Sequence, residues 1–279
     1  MNRRSLTFCG LVLLLAGGVV FAQRWQWGRG FGGITTERGG VPDWEVDEDF
    51  PGDLFTFVRI QYDSYGYRQD AWRIDYRDSD LNFSLRLSQL TTLNVNPEPI
   101  VLRLTDPKLM DYPFIYMVEP GGLSFSDAEV AALRKYCLNG GFLMVDDFWG
   151  DYQLENMMKE LRRVFPDRDA FEVPLSHEIF HNVYDMKEKP QCPAVQRGPQ
   201  YYGDRLVTWD WSRDGTDTTT PHYKAVVDDE DRIMVFVCHN TDFGDGWERE
   251  GNNTWYFEEF SVKRAYPMGI NIVTYAMTH

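Results

Sequence analysis

The chain has 279 residues, 43% of them hydrophobic and 25% charged, proportions that exclude wholesale disorder and allow a core without metal or disulfide staples. Lys and Arg number 28 against 43 Asp and Glu, for a formal charge of −15. A surface that acidic repels a phosphate backbone, which excludes general nucleic-acid binding.

Residues 1–22 read as a signal peptide. Arg3 and Arg4 precede an apolar, Gly-interrupted run over 6–21, and Ala22 closes it two residues after Val20. Its apolar core, Leu11 to Leu15, is too short and too Gly-broken for a transmembrane span. An exported protein is expected, periplasmic or secreted; left uncleaved, the segment would instead be an N-terminal membrane anchor. Residues 23–54 show neither a period of 2 nor of 3.6 and read as an irregular arm, rich in Gly, Arg and Trp and then acidic. Trp25, Trp27 and Trp44 are expected to dock on the surface of the α/β domain, which the pattern predicts over 55–279.

Within that domain the pattern predicts a strand over 55–62, a helix over 81–90 and a short strand over 100–104. The clearest unit follows. An apolar run over 114–118 leads to Ser126-Asp127-Ala128-Glu129, a capping box. Val130, Leu133 and Cys137 then mark one helical face, Gly140 and Gly141 stop the helix, and 142–145 is a second apolar strand. Strand, helix and strand in about 30 residues make a βαβ unit with parallel strands. Leu154, Met157, Met158, Leu161 and Phe165 predict a further helix ended by Pro166. Residues 186–225 form a long excursion containing Trp209 and Trp211, either a lid or an edge hairpin. A buried strand is expected over 233–238, and Pro267 is expected to open a closing helix that runs to about 277. The alternation describes a three-layer α/β sandwich with a mainly parallel sheet.

In such sheets, ligands bind beyond the carboxyl ends of the strands. Those ends carry Asp63, Glu119, Asp146, Asp147 and the run His239-Asn240-Thr241-Asp242. Neighbouring strand residues face opposite ways, so Asp146 and Asp147 share one pocket only if the strand has already turned. His177-Glu178-Ile179-Phe180-His181 matches the letters of a zinc-protease helix. Pro174 would nevertheless put His177 at a helix start, and no third ligand follows at a recognisable spacing. A looser role for His177, near the strand ends, is expected instead. The mature chain keeps Cys137, Cys192 and Cys238, too few for a disulfide framework, and Cys137 and Cys238 read as buried thiols. Cys238 lacks the flanking glycines of a nucleophile elbow, and no glycine-rich phosphate loop follows a strand.

The blocks LRKYCLNGGFLMVDD (133–147), PLSHEIFHNVYD (174–185), CHNTDFGDGW (238–247) and GINIVTYAMTH (269–279) resemble the bacterial family called domain of unknown function 4159. The resemblance covers roughly 55–279. It implies a flavodoxin-like fold similar to that of class I glutamine amidotransferases, in an exported or membrane-associated protein, and implies no reaction. The amidotransferase nucleophile is missing from this chain.

Two functions are therefore expected as alternatives. The first is a non-catalytic module of the cell envelope that binds a ligand or protein through Glu119, Asp146, Asp147, His177, His239, Asn240, Asp242, Trp209 and Trp211. An envelope protein or a glycan stacked on the Trp residues is the expected partner. The second is a metal-dependent hydrolase with Asp147, His177 and His239 as candidate ligands. No cofactor is otherwise expected beyond such a divalent metal.

Overall fold

The computed structural model describes residues 40–46, 53–65, 69–195, 200–202, 205–207, 218–251 and 253–279. The expected signal peptide, Trp25, Trp27, Trp209 and Trp211 lie outside them. In chain order the elements are β1 (Leu54–Phe55), β2 (Val58–Ile60), α1 (Asp78–Leu90), β3 (Asn94–Val95), β4 (Ile100–Leu102) and β5 (Phe114–Val118). Then come α2 (Asp127–Leu138), β6 (Phe142–Asp146), α3 (Gly150–Val164), β7 (Phe171–Glu172), β8 (Gln200–Tyr202) and β9 (Arg205–Val207). The last are β10 (His222–Val227), β11 (Ile233–His239), α4 (Phe243–Glu248) and α5 (Tyr266–Thr278).

Seven strands form one sheet in the order β4-β2-β5-β6-β11-β10-β7. The first five run parallel, while β10 is antiparallel to both β11 and β7. Every residue of β5, β6 and β11 is buried, which is why these strands read as unbroken apolar runs. Their side chains alternate between two layers. Tyr116, Met144 and Phe236 join Phe83 of α1, Phe243 and Trp247 of α4 and Ile272 of α5 in one core. On the other face Ile115, Leu143 and Val235 pack with Leu133 of α2 and Met157 and Leu161 of α3. Helices therefore cover the sheet on both faces.

Local chemistry sets the element ends. The capping box on α2 forms as its sequence predicts: Ser126 Oγ accepts from the Glu129 N–H, and the Glu129 carboxylate accepts from the Ser126 N–H at 2.9 Å. At the other end of α2, Gly140 adopts φ 102°, and the Arg232 guanidinium donates to the carbonyls of Cys137, Gly140 and Gly141. β5 and β6 pair in parallel across this helix, as the βαβ reading requires.

Two boundaries differ from expectation. The predicted strand over 55–62 divides, because Phe55 pairs with β3 whereas Val58 onward pairs with β4 and β5. Pro267 does not open the last helix. The chain is already helical from Thr254, and a wide π-helical stretch, Phe257–Ala265, leads directly into α5. That widened turn loosens the backbone ladder just where Pro267 has no N–H to contribute. Trp44 docks as expected, donating from Nε1 to the Val95 carbonyl at 2.8 Å. Among the described residues Cys137, Cys192 and Cys238 are buried free thiols, and no helix is long and apolar enough to cross a membrane.

Candidate metal centre

Three central strands leave the sheet through a residue in the left-handed region: Glu119 after β5 (φ 49°), Asp147 after β6 (φ 53°) and Asn240 after β11 (φ 57°). Asp and Asn tolerate this conformation better than other residues with a Cβ. The turn at Asp147 resolves the question of facing. The buried Asp146 carboxylate accepts from Tyr116 Oη and the Phe243 N–H, whereas that of Asp147 lies with Asp75 and Asp242.

A fourth left-handed residue, Asp75 (φ 60°), arrives from the loop before α1. Arg59 of β2, wholly buried, fixes that loop by donating from Nη1 to the carbonyls of Trp72 (3.1 Å) and Ile74 (2.9 Å). Its Nε and Nη2 hold Asp80 and Ser79 of α1. The ring of Tyr116 lies under the guanidinium, 5.1 Å from ring centre to Cζ. On the far side, Asp242 caps α4 by accepting from the Asp245 N–H at 2.7 Å. Three-residue spacing then carries Asp242, Asp245 and Glu248 along that short helix.

These segments bring five carboxylates together. Oxygens of Asp75, Asp147 and Asp242 lie within 4.8 Å of one another, and so do oxygens of Asp75, Asp245 and Glu248. A hard divalent cation holds oxygens at roughly 2.1–2.6 Å, so ligands on opposite sides of it are about 4–5 Å apart. Both groups fit that span. Asp75 is 9% exposed, and its Oδ2 is buried with no hydrogen-bond partner among the described residues. An uncompensated buried carboxylate oxygen is costly, a cost that a bound cation or a proton would offset.

Electrostatics agree with the geometry. Burial, then the charges of Asp245, Asp147 and Glu248, push the Asp75 carboxyl well above the usual range, against the pull of Arg59. Burial and the neighbouring Asp147 and Asp245 raise Asp242 in the same way. Glu248 is pushed up to about 7, chiefly by burial and against Arg249. Asp146 also rises to about 7 through burial, although Tyr116 Oη, Phe243 N and Gly244 N all donate to its Oδ2. Burial therefore favours the protonated form of these carboxyls, and a bound cation would favour the ionised form.

The family model described as Domain of unknown function (DUF4159) matches residues 56–277. The chain belongs to this family. The match embraces all five clustered carboxylates of this DUF4159 domain, and no curated protein matches the chain.

The residues expected from sequence are distributed unevenly over the DUF4159 domain. Asp147 and Asp242 belong to the cluster, and Asp146 lies beside it. Glu119 is buried at the same sheet edge, where its N–H donates to the Asp146 carbonyl, but it is not one of the clustered carboxylates. Asn240 is a structural clip: Oδ1 accepts from the Gly150 N–H and Nδ2 donates to the Thr220 carbonyl.

Neither expected histidine belongs to the carboxylate cluster. Position 239 alternates with Cys238, so the His239 ring turns to the opposite layer of the sheet, where it packs on Phe148 with Nε2 3.0 Å from the Gly150 carbonyl. His177 is at the other end of the sheet. Its ring packs on Tyr275, whose hydroxyl accepts from Ile233 at the start of β11. The segment matching the zinc signature is no helix: Glu178–Phe180 is a single tight turn, and His181 is held by Asp185 and the Leu175 carbonyl. Trp209 and Trp211 lie outside the described residues.

Sequence reasoning missed Asp75, Asp245 and Glu248. The D-x-x-D-x-x-E spacing over 242–248 was the available signal for the last two. Asp75 sits in a segment with no periodicity and gave none.

Proposed function

We propose that this domain is a ligand-binding module that depends on a divalent cation held by Asp75, Asp147 and Asp242. The observation that carries the reading is the Asp75 oxygen, buried without a partner and within a cation's span of two further carboxylates. An all-oxygen set favours hard ions, Mg²⁺, Ca²⁺ or Mn²⁺, over Zn²⁺. The location supports it as well, since ligands of parallel sheets gather at the carboxyl ends of the strands.

Finer assignments are proposed alongside. The parallel strands run second, first, third, fourth, fifth in chain order across the sheet, the order of a flavodoxin-like fold, which supports kinship with class I glutamine amidotransferases. The character of residues 1–22 supports export to the cell envelope.

The test is calorimetric titration of the metal-stripped full chain with Mg²⁺, Ca²⁺ and Mn²⁺, beside Asp147→Asn. Saturable binding by at least one ion is expected, weakened tenfold or more in the variant, whose side chain keeps the acceptor for Trp149 Nε1. No binding by any of the three, in protein that remains folded, would sink the reading.

A further inference from the structure

We propose that the centre holds two divalent cations at once, bridged by the carboxylate of Asp75. This deepens the reading above and rests on it.

Two distinct ligand sets meet at one residue. Asp147 and Asp242 complete one set, Asp245 and Glu248 complete the other, and Asp75 alone is common to both. A carboxylate has two oxygens and can give one to each of two ions. Paired cations in proteins sit roughly 3.5–4 Å apart, a separation that one such bridge spans.

Among the described residues no donor reaches Asp75 Oδ2. Arg59 is the nearby buried cation, and its five N–H groups are all spent: Nε on Asp80, Nη1 on the Trp72 and Ile74 carbonyls, Nη2 on Ser79 and Asp80. Asp75 Oδ2 remains buried and without a partner.

Charge gives the same count. The five carboxylates of the cluster have one guanidinium beside them, that of Arg249, 2.7 Å from Glu248 and 3.4 Å from Asp245. Fully ionised, they exceed it by four negative charges. One dication halves that excess and two cancel it.

Local sequence allows the two sets to share Asp75. Gly244 faces it from α4, and a Cβ there would stand 2.4 Å from Asp75 Oδ2. A side chain at 244 would push Asp75 away from the helix that bears Asp242, Asp245 and Glu248.

The experiment is metal analysis and electron paramagnetic resonance of the full chain, stripped with chelator and reloaded with Mn²⁺. Two equivalents with an exchange-coupled spectrum are expected. Glu248→Gln and Asp242→Asn should each retain one equivalent with an uncoupled six-line spectrum, and Asp75→Asn should retain neither under the same loading. Circular dichroism and the unfolding midpoint in chelator check that each variant is folded, and Glu248, the most exposed ligand of the pair of sets, gives the mildest variant. A single equivalent in the unaltered chain overturns the paired site and leaves the single-cation reading standing. No bound Mn²⁺ overturns the paired site, and the single-cation reading falls with it only when Mg²⁺ and Ca²⁺ also fail to bind. Two uncoupled equivalents, or two that survive Asp75→Asn, overturn the bridge.

Discussion

Asp146 shows how much one buried carboxyl can make of pH. It is fully buried, its Oδ2 takes three donors, and its Oδ1 has none. Its folded pKa of about 7 exceeds its ordinary value, so the folded state binds the proton more tightly than the unfolded chain. The stability this confers is complete at acidic pH and is lost as pH rises through about 7. Asp75, Asp242 and Glu248 are shifted in the same direction. The metal-free protein is therefore predicted to melt at lower temperature at pH 8 than at pH 5, and Asp146→Asn should flatten that difference. Midpoints measured across this range in chelator check it; an unchanged slope in the variant would remove Asp146 from the account. At this scale the sequence conveyed the chemistry of Asp147 and Asp242 but not their company. Asp75 was invisible because its role depends on Arg59, sixteen positions earlier, gripping the carbonyls on its N-terminal side.

Helix α4 depends on two glycines, and they serve different neighbours. A Cβ on Gly246 would lie 2.5 Å from the Cβ of Ala265, an atom fixed to the backbone of the adjoining helical stretch. Neither side can yield without moving a helix, so Gly246→Ala is predicted to destabilise by about 1–3 kcal/mol, the usual cost of overpacking. Urea unfolding measures it, and a neutral or stabilised variant would show that α4 is free to shift. The unit β5–α2–β6 was legible in full because caps, periodicity and glycine stop all act within a few residues of each other. The π-helical stretch before Pro267 was not. It is sustained by burial of Phe260, Ser261 and Ala265 against distant elements, which no local pattern records.

For the whole molecule, a cation that binds only the folded state adds stability by mass action, about 2.7 kcal/mol at a hundredfold excess over Kd. In a chain of this size each kcal/mol moves the midpoint by roughly 2–4 °C, so a rise on the order of 5–10 °C at pH 7.5 is expected from saturating ion. Differential scanning fluorimetry with and without chelator reads it, and the rise should shrink towards pH 5 as protons compete for the same oxygens. The layered α/β architecture followed from apolar strands alternating with helical faces. The carboxylate cluster did not, because its members come from three segments that only the finished sheet brings together. The far edge of that sheet bears on how copies of the protein meet. β7 has only two residues, and Glu172 on it is paired with Lys189 at 2.5 Å and Lys224 at 3.5 Å. Short, charged edge strands discourage intermolecular strand addition. A net charge of −15 adds mutual repulsion between copies, which works against strand addition at this end of the sheet.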